Sequence, residues 1–292
     1  MPVDLIDVAA GSGGFVLHGE SVNDRSGRSV AGAGDINGDG FDDLIIGAYR
    51  GDGAGKLKFD AGDCYVVFGM AGGFGSVDLA AIAAGSGGFV IHGEDAGDNA
   101  GVSVASAGDL NGDGFDDLIV GANHAGAAGN LKTDAGAAYV VFGKAAGFGV
   151  VDLAAIAAGS GGFVIQGEDA GDQAGRSVDS AGDINGDGFD DLIIGANYAD
   201  GAGNALNVAG GSYVVFGKAG GFSASIDLGA IAAGSGGFVI LGQNANDRTG
   251  LSVATAGDVN GDGFDDLIIG APFGDAANNT KPYAGECYVV FG

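Results

Sequence analysis

Apolar residues fall along this chain in short runs, none with the rhythm of a long helix. In its second quarter the runs are Phe89–Gly93, Val102–Ala107, Asp117–Gly121 and Ala138–Phe142, rich in Val, Ile, Phe and Tyr and bounded by Gly, Asn and Asp. Runs of this length and composition predict short strands. The segment "VDLAAIAAGSG" from Val77 predicts a single helical turn before its Gly stop. It is too short for the crossover helix of a parallel sheet, so the sheets are expected to be antiparallel.

The pattern is fourfold. "GSGGFV" begins at Gly11, Gly85, Gly159 and Gly234, and "YVVFG" at Tyr65, Tyr139, Tyr213 and Tyr288. The repeats run over residues 3–76, 77–150, 151–225 and 226–292, about 74 residues each, with no change of composition between them. The reading is one all-β domain over 1–292, a β-propeller built from four-stranded antiparallel blades.

Each repeat carries one acidic loop. Counted from Asp35, side-chain oxygens fall at positions one, three, five and nine: Asp35, Asn37, Asp39 and Asp43. Gly40 at position six permits a sharp turn, and Phe41 at position seven offers only its backbone carbonyl. The same places hold Asp109, Asn111, Asp113, Phe115 and Asp117; Asp183, Asn185, Asp187, Phe189 and Asp191; and Asp258, Asn260, Asp262, Phe264 and Asp266. Oxygens alternating around a Gly turn suit a hard cation that takes six to eight oxygen ligands. Position twelve is Ile46, inside a strand-like run, which rules out an EF-hand with its bidentate Glu. Zn²⁺ would want His or Cys, and Mg²⁺ demands stricter geometry and keeps its waters. The expectation is four Ca²⁺ per chain. Solvated acidic turns without metal would leave the shared spacing unexplained. The Phe side chain is expected in the core, and position eight (Asp42, Asp116, Asp190, Asp265) is expected to face solvent.

Charge narrows the partners. With 38 acids against 11 bases the formal net charge is -27, which repels nucleic-acid phosphate and anionic lipid. No apolar stretch is long enough to span a bilayer, so membrane insertion is not expected. "MPVDLIDVAAGSGG" has neither the basic nor the apolar region of a signal peptide. Cys64 and Cys287, at equivalent positions, read as small buried residues rather than a disulfide framework.

Asp-x-Asn-x-Asp-Gly-x-x-Asp, followed by a Gly-Ala element, resembles the FG-GAP repeat of integrin α-subunit propellers. Gly270-Ala271-Pro272 matches the last element fully; the other copies read Gly47-Ala48-Tyr49, Gly121-Ala122-Asn123 and Gly195-Ala196-Asn197. The leading Phe-Gly departs, reading Ser26-Gly27, Ala100-Gly101, Ala174-Gly175 and Thr249-Gly250. The resemblance covers nearly the whole chain. It implies calcium in the hairpin between the first and second strands of each blade, and binding or adhesion functions, in a family that includes some lectins.

The loops at the opposite strand ends vary between copies, which is where recognition concentrates. Each has a ring near its start: Tyr49, His124, Tyr198 and Phe273. These rings either stack on a sugar or pack their own loops. Arg50-Gly51-Asp52 occurs once, as expected by chance in so Gly- and Asp-rich a chain. His18 and His92 give way to Gln166 and Leu241, which fits strand positions rather than catalysis. The G-x-S-x-G, P-loop, H-E-x-x-H and C-x-x-C signatures are missing, so no enzyme is expected. The leading reading is a calcium-stabilised extracellular or cell-surface module for a glycan or protein ligand. A structural segment of a larger secreted assembly, with self-association, is second. A carbohydrate-active or lipase-like enzyme is third. Lastly, the register of the termini predicts that the strand Phe15–His18 pairs with Tyr288–Phe291, closing a four-bladed ring in preference to exchange between two chains.

Overall fold

The computed structural model describes residues 3–145, 147–275 and 280–292. The first repeat supplies β1 (Leu17–His18), β2 (Ser29–Gly34), β3 (Asp43–Ala48) and β4 (Asp63–Val67). The second opens with β5 (Val77–Asp78) and continues through β6 (Gly88–His92), β7 (Ser103–Gly108), β8 (Asp117–Ala122) and β9 (Ala137–Val141). The third gives β10 (Val151–Asp152), β11 (Gly162–Gln166), β12 (Ser177–Gly182), β13 (Asp191–Ala196) and β14 (Gly211–Val215). The fourth gives β15 (Ser225–Asp227), β16 (Gly237–Leu241), β17 (Ser252–Gly257), β18 (Asp266–Ala271) and β19 (Glu286–Val290). The strands expected in the second repeat are all present, within a residue of their expected ends.

Each of the first three sheets is an antiparallel meander that takes three strands from one repeat and a fourth, outer strand from the next. The orders are β2-β3-β4-β6, β7-β8-β9-β11 and β12-β13-β14-β16, while the fourth sheet has β17-β18-β19 only. The fold is thus all-β and mostly antiparallel, in keeping with a propeller. The connector adds something the pattern did not show. β10 and β15 pair in parallel with the outer strands β6 and β11, with Val151 opposite Ile91. The helical turn that follows is Leu79–Ala83 in its first complete copy, capped by the Asp78 carboxylate accepting from Ala80 N at 2.9 Å. It buries Leu79 and Ile82 on the sheet, as Leu153 and Ile156 do one repeat later.

The middle strands are buried on both sides, which is why β8 and β9 read as continuous apolar runs rather than alternating ones. The innermost strands β2, β7, β12 and β17 lie side by side in that order. A serine hydroxyl at the head of each accepts the N–H of a valine in the next: Ser29 from Val104 at 3.0 Å, Ser103 from Val178 at 3.1 Å, and Ser177 from Val253 at 3.1 Å. The connector rings stack on the outer strands, Phe148 on Phe89 at 4.5 Å and Phe222 on Phe163 at 4.4 Å.

The expected closure is not what the structure shows. β1 pairs in parallel with β5, Leu17 opposite Val77, and not with β19. Each end of the row keeps an open apolar face. Val30 is 64% exposed where its equivalents Val104, Val178 and Val253 are at most 6% exposed. Val289 is 46% exposed where Val66, Val140 and Val214 are fully buried. Cys287 is likewise exposed while Cys64 is buried, because only Cys64 has a following sheet over it. The three steps between sheets share their contacts, as the serine–valine bonds show.

Candidate calcium loops and ligand face

Each acidic loop is the hairpin between the two inner strands of a sheet, as β2 and β3 show: a bulge at Gly34 opens it and Asp43 begins the strand that leaves. Inside the loop the carboxylates fold the chain by accepting backbone N–H groups. Asp109 accepts from Asp113 N at 3.0 Å and from Gly114 N at 2.9 Å. Asn111 accepts from Asp113 N at 2.8 Å, and Asp113 from Phe115 N at 3.1 Å. The other loops repeat this, as with Asp35 and Gly40 at 2.8 Å, Asp183 and Gly188 at 2.9 Å, and Asp258 and Gly263 at 3.0 Å. Asn37 and Asn185 accept from Asp39 N and Asp187 N at 2.9 Å. Asn260 accepts from Asp262 N at 2.8 Å.

Position nine is different in kind. Asp43, Asp117, Asp191 and Asp266 are all fully buried. Asp117 Oδ1 accepts from Gly143 N at 2.9 Å, but its Oδ2 is buried without a hydrogen-bond partner. Burial, then the nearby Asp113 and Asp109 charges, push its carboxyl up to about 8. The same causes push Asp191 to about 7 and Asp43 to about 6. In the third and fourth copies the second oxygen is partnered, Asp191 Oδ2 accepting from Ile184 N at 3.2 Å and Asp266 Oδ2 from Val259 N at 2.8 Å. A buried carboxylate beside two further carboxylates is a poor arrangement in itself and a good one for a hard cation. Among the described residues no three His, Cys, Asp or Glu side chains form a metal cluster by themselves. The loop's other donors are the Asn amide and the Phe carbonyl.

Positions seven and eight are corrected by the structure. Phe41 is 43% exposed and Phe264 38%, so this side chain is not a core residue. It reaches the preceding sheet's loop instead: a Cβ at Gly38 would lie 2.5 Å from the Phe115 ring, and one at Gly112 would lie 2.5 Å from that of Phe189. Asp116 does not face solvent either. Its Oδ2 accepts Asp35 N, 81 residues away, at 2.8 Å; Asp190 accepts Asp109 N at 2.9 Å and Asp265 accepts Asp183 N at 3.0 Å. Only Asp42, with no sheet before it, is exposed. The acidic loops are therefore linked side by side along one edge of the molecule.

At the other strand ends, Tyr49 lies beneath Arg25, Arg28 and Arg50, and Arg248 lies over both Tyr198 and Phe273. His124 stands apart, with Nδ1 3.3 Å from Asp134 Oδ1. The Gly of Arg50-Gly51-Asp52 is buried, and a Cβ there would lie 2.2 Å from the Asp63 carboxylate. His92 is a structural partner of Asp63, at 2.7 Å.

One motif escaped the sequence reading. The Glu of each "GED" segment takes the hydroxyl of the "YVVFG" tyrosine, Tyr139 to Glu94 and Tyr213 to Glu168, both at 2.7 Å. Beside them Asp98 is buried, and burial followed by the Asp95 and Glu94 charges pushes its carboxyl up to about 7. The ordinary value is 3.8, so the folded state holds this proton more tightly and stability falls as pH rises from about 4 through 7. Asp98→Asn should therefore raise the melting temperature, with a gap over the parent that widens across that pH window and is flat above it. A gap that does not change with pH would refute the shifted ionisation.

A family model for the FG-GAP repeat matches residues 26–62, 100–141, 174–215 and 249–290. The chain is 34% identical over 198 residues to integrin alpha-PS5 of Drosophila melanogaster, covering 66% of this chain and 17% of that protein. It is 29% identical over 255 residues to integrin alpha pat-2 of Caenorhabditis elegans, 85% of this chain and 18% of that protein. It is also 31% identical over 186 residues to the phosphatidylinositol-glycan-specific phospholipase D of Bos taurus, 62% of this chain and 20% of that protein. The chain thus spans about a fifth of the length of these relatives. With all four units matched by their own repeat model, the chain belongs to the FG-GAP repeat family.

Proposed function

We propose that this chain is a calcium-stabilised binding module of adhesion type, acting outside the cell. Its four sheets are propeller blades, each holding one Ca²⁺ in its hairpin, and the loops at the opposite strand ends take a glycan or protein ligand. The observation that carries the metal is the carboxylate at position nine, fully buried in all four copies, in a loop whose other donors are all oxygens. An exterior rich in calcium suits such loops, because extracellular modules often bind at only about 10⁻⁴–10⁻³ M. The segment shared with both an integrin and a phospholipase is the repeat itself, so it supports a scaffold with a binding face rather than the chemistry of either whole protein. Among the described residues no helix is long and apolar enough to cross a membrane.

Calorimetric titration of Asp39→Ala tests the ligand set. The variant loses one oxygen donor and leaves Asp35 and Asp43 facing each other. One fewer calcium per chain and a destabilisation of about 1–3 kcal/mol are expected. Full stoichiometry would show that position five does not bind metal.

The exposed faces of the first and fourth sheets favour a second reading, a structural segment within a larger assembly. Light scattering separates the two. A single-chain mass with saturable binding on a glycan array supports the module, and ordered polymers without ligand support the segment.

A further inference from the structure

The net charge of -27 repels polyanions from the molecule at large, but its five arginines lie at the strand ends opposite the acidic loops and make a local exception there. Arg25, Arg28 and Arg50 lie 5.9, 5.9 and 5.7 Å from the Tyr49 ring centre, and Arg25 Nη1 donates to the Tyr49 hydroxyl at 2.8 Å. Arg248 lies 4.6 Å from the Tyr198 ring and 4.9 Å from that of Phe273. Arg176 joins the two groups. It is half-buried, and burial followed by the Arg28 charge holds its pKa below the ordinary value, with Tyr198 and Tyr49 also within its field. The ion pairs among the described residues use Lys56, Lys58, His92 and His124, and no arginine takes part in one.

Five guanidiniums gathered without a counter-ion, in a chain with acids to spare, are costly to the fold. Cation–π contact at exposed sites offsets only part of this. Backbone geometry adds to the cost. Arg25 and Arg248 adopt φ of 57° and 55°, at the position the second and third repeats fill with Asn99 at 58° and Gln173 at 57°. Asn tolerates that conformation readily and Arg does not. A stability argument would put Asn at all of these sites.

We propose that this arginine face binds an acidic polysaccharide, whose uronate or sulfate oxyanions are held by the guanidinium forks. The inference rests on the binding-module reading and names the ligand class for its face. A planar fork on a ring matches the two oxygens of a carboxylate or sulfate ester. The sugar backbone is favoured over an acidic peptide because the face is made of loop apices and rings rather than a strand edge, so it offers a peptide no ladder of main-chain bonds. Tyr283, 75% exposed and edge-on to Phe273 at 6.5 Å, provides an amphipathic ring beside the last guanidinium.

The test measures binding of the calcium-loaded chain to polyglucuronate, a heavily sulfated glycan, neutral dextran and polyglutamate. The Arg28→Gln/Arg248→Gln variant is run in parallel. Binding to either acidic glycan is expected, weakened by added salt and by about tenfold or more in the variant, with a melting temperature no lower than the parent's. Which acidic glycan binds identifies the oxyanion. Should the double variant fail to fold, Arg25→Gln at an exposed residue gives the same readout. Dextran binding that the arginine variants leave intact would overturn the proposal while leaving the binding-module reading standing. Equal binding of polyglutamate would overturn the sugar assignment. Binding to none of the four would overturn the proposal, and the neutral and protein probes of an array then decide the module reading separately.

Discussion

Removing calcium should lower the melting temperature by roughly 20 °C. A ligand that binds only the folded chain at a hundredfold over its dissociation constant adds about 2.7 kcal/mol per site. Four such sites make a total of about 10 kcal/mol, and a chain longer than 250 residues shifts by about 2 °C per kcal/mol, so the fall is roughly 20 °C. The folded chain gives a reason why its own contacts do not substitute for the metal. Asp43, Asp117, Asp191 and Asp266 are held fully buried at the start of a strand, and the first three are pushed towards neutrality by burial and by the acids at positions one and five. Without a cation these groups remain desolvated and mutually repelling. Because Asp116, Asp190 and Asp265 tie each loop to its neighbour, loss of one loop should spread along the row. Calcium should restore the transition better than magnesium. A melting curve unchanged after thorough chelation would end the calcium reading.

The second large effect concerns Gly-Ala, the closing element of each repeat. Gly121→Ala should cost about 3 kcal/mol, by overpacking a site with no room to relax, whereas Gly270→Ala should stay within about 0.5 kcal/mol. A Cβ on Gly121 would sit 2.1 Å from the backbone oxygen of Gly175, the Gly of the next repeat's Ala-Gly element. Gly47 meets Gly101 at 2.1 Å and Gly195 meets Gly250 at 2.0 Å in the same way. The obstacle is backbone, which does not rotate aside. At Gly270 no sheet follows, and the nearest atom is the Ser252 Cβ at 3.6 Å. Denaturant melts of the two variants decide the matter. Equal effects would mean that the two faces are equally covered in solution, so the pair also reports whether the fourth sheet is capped by another copy.

Much of this was legible in the sequence because it is local. Strand runs follow from alternation between turn residues, and the β2–β3 hairpin follows from Gly and Asp spacing. The Asp78 cap and its one-turn helix follow from an Asp two residues before the donating N–H. Which acidic residues share a loop was likewise readable, since they lie within nine positions of one another. What the sequence by itself determined is therefore the repeat, its strands, and which residues share a loop. Only the tertiary structure decided that Phe115 and Asp116 serve the sheet before them, that the five arginines meet on one face, and that the row does not close through β1 and β19. The physical reason is degeneracy. In a chain of near-identical units a residue has the same local surroundings in every copy, so its sequence context cannot say which neighbour it will touch. That is set by how one whole sheet stacks on the next.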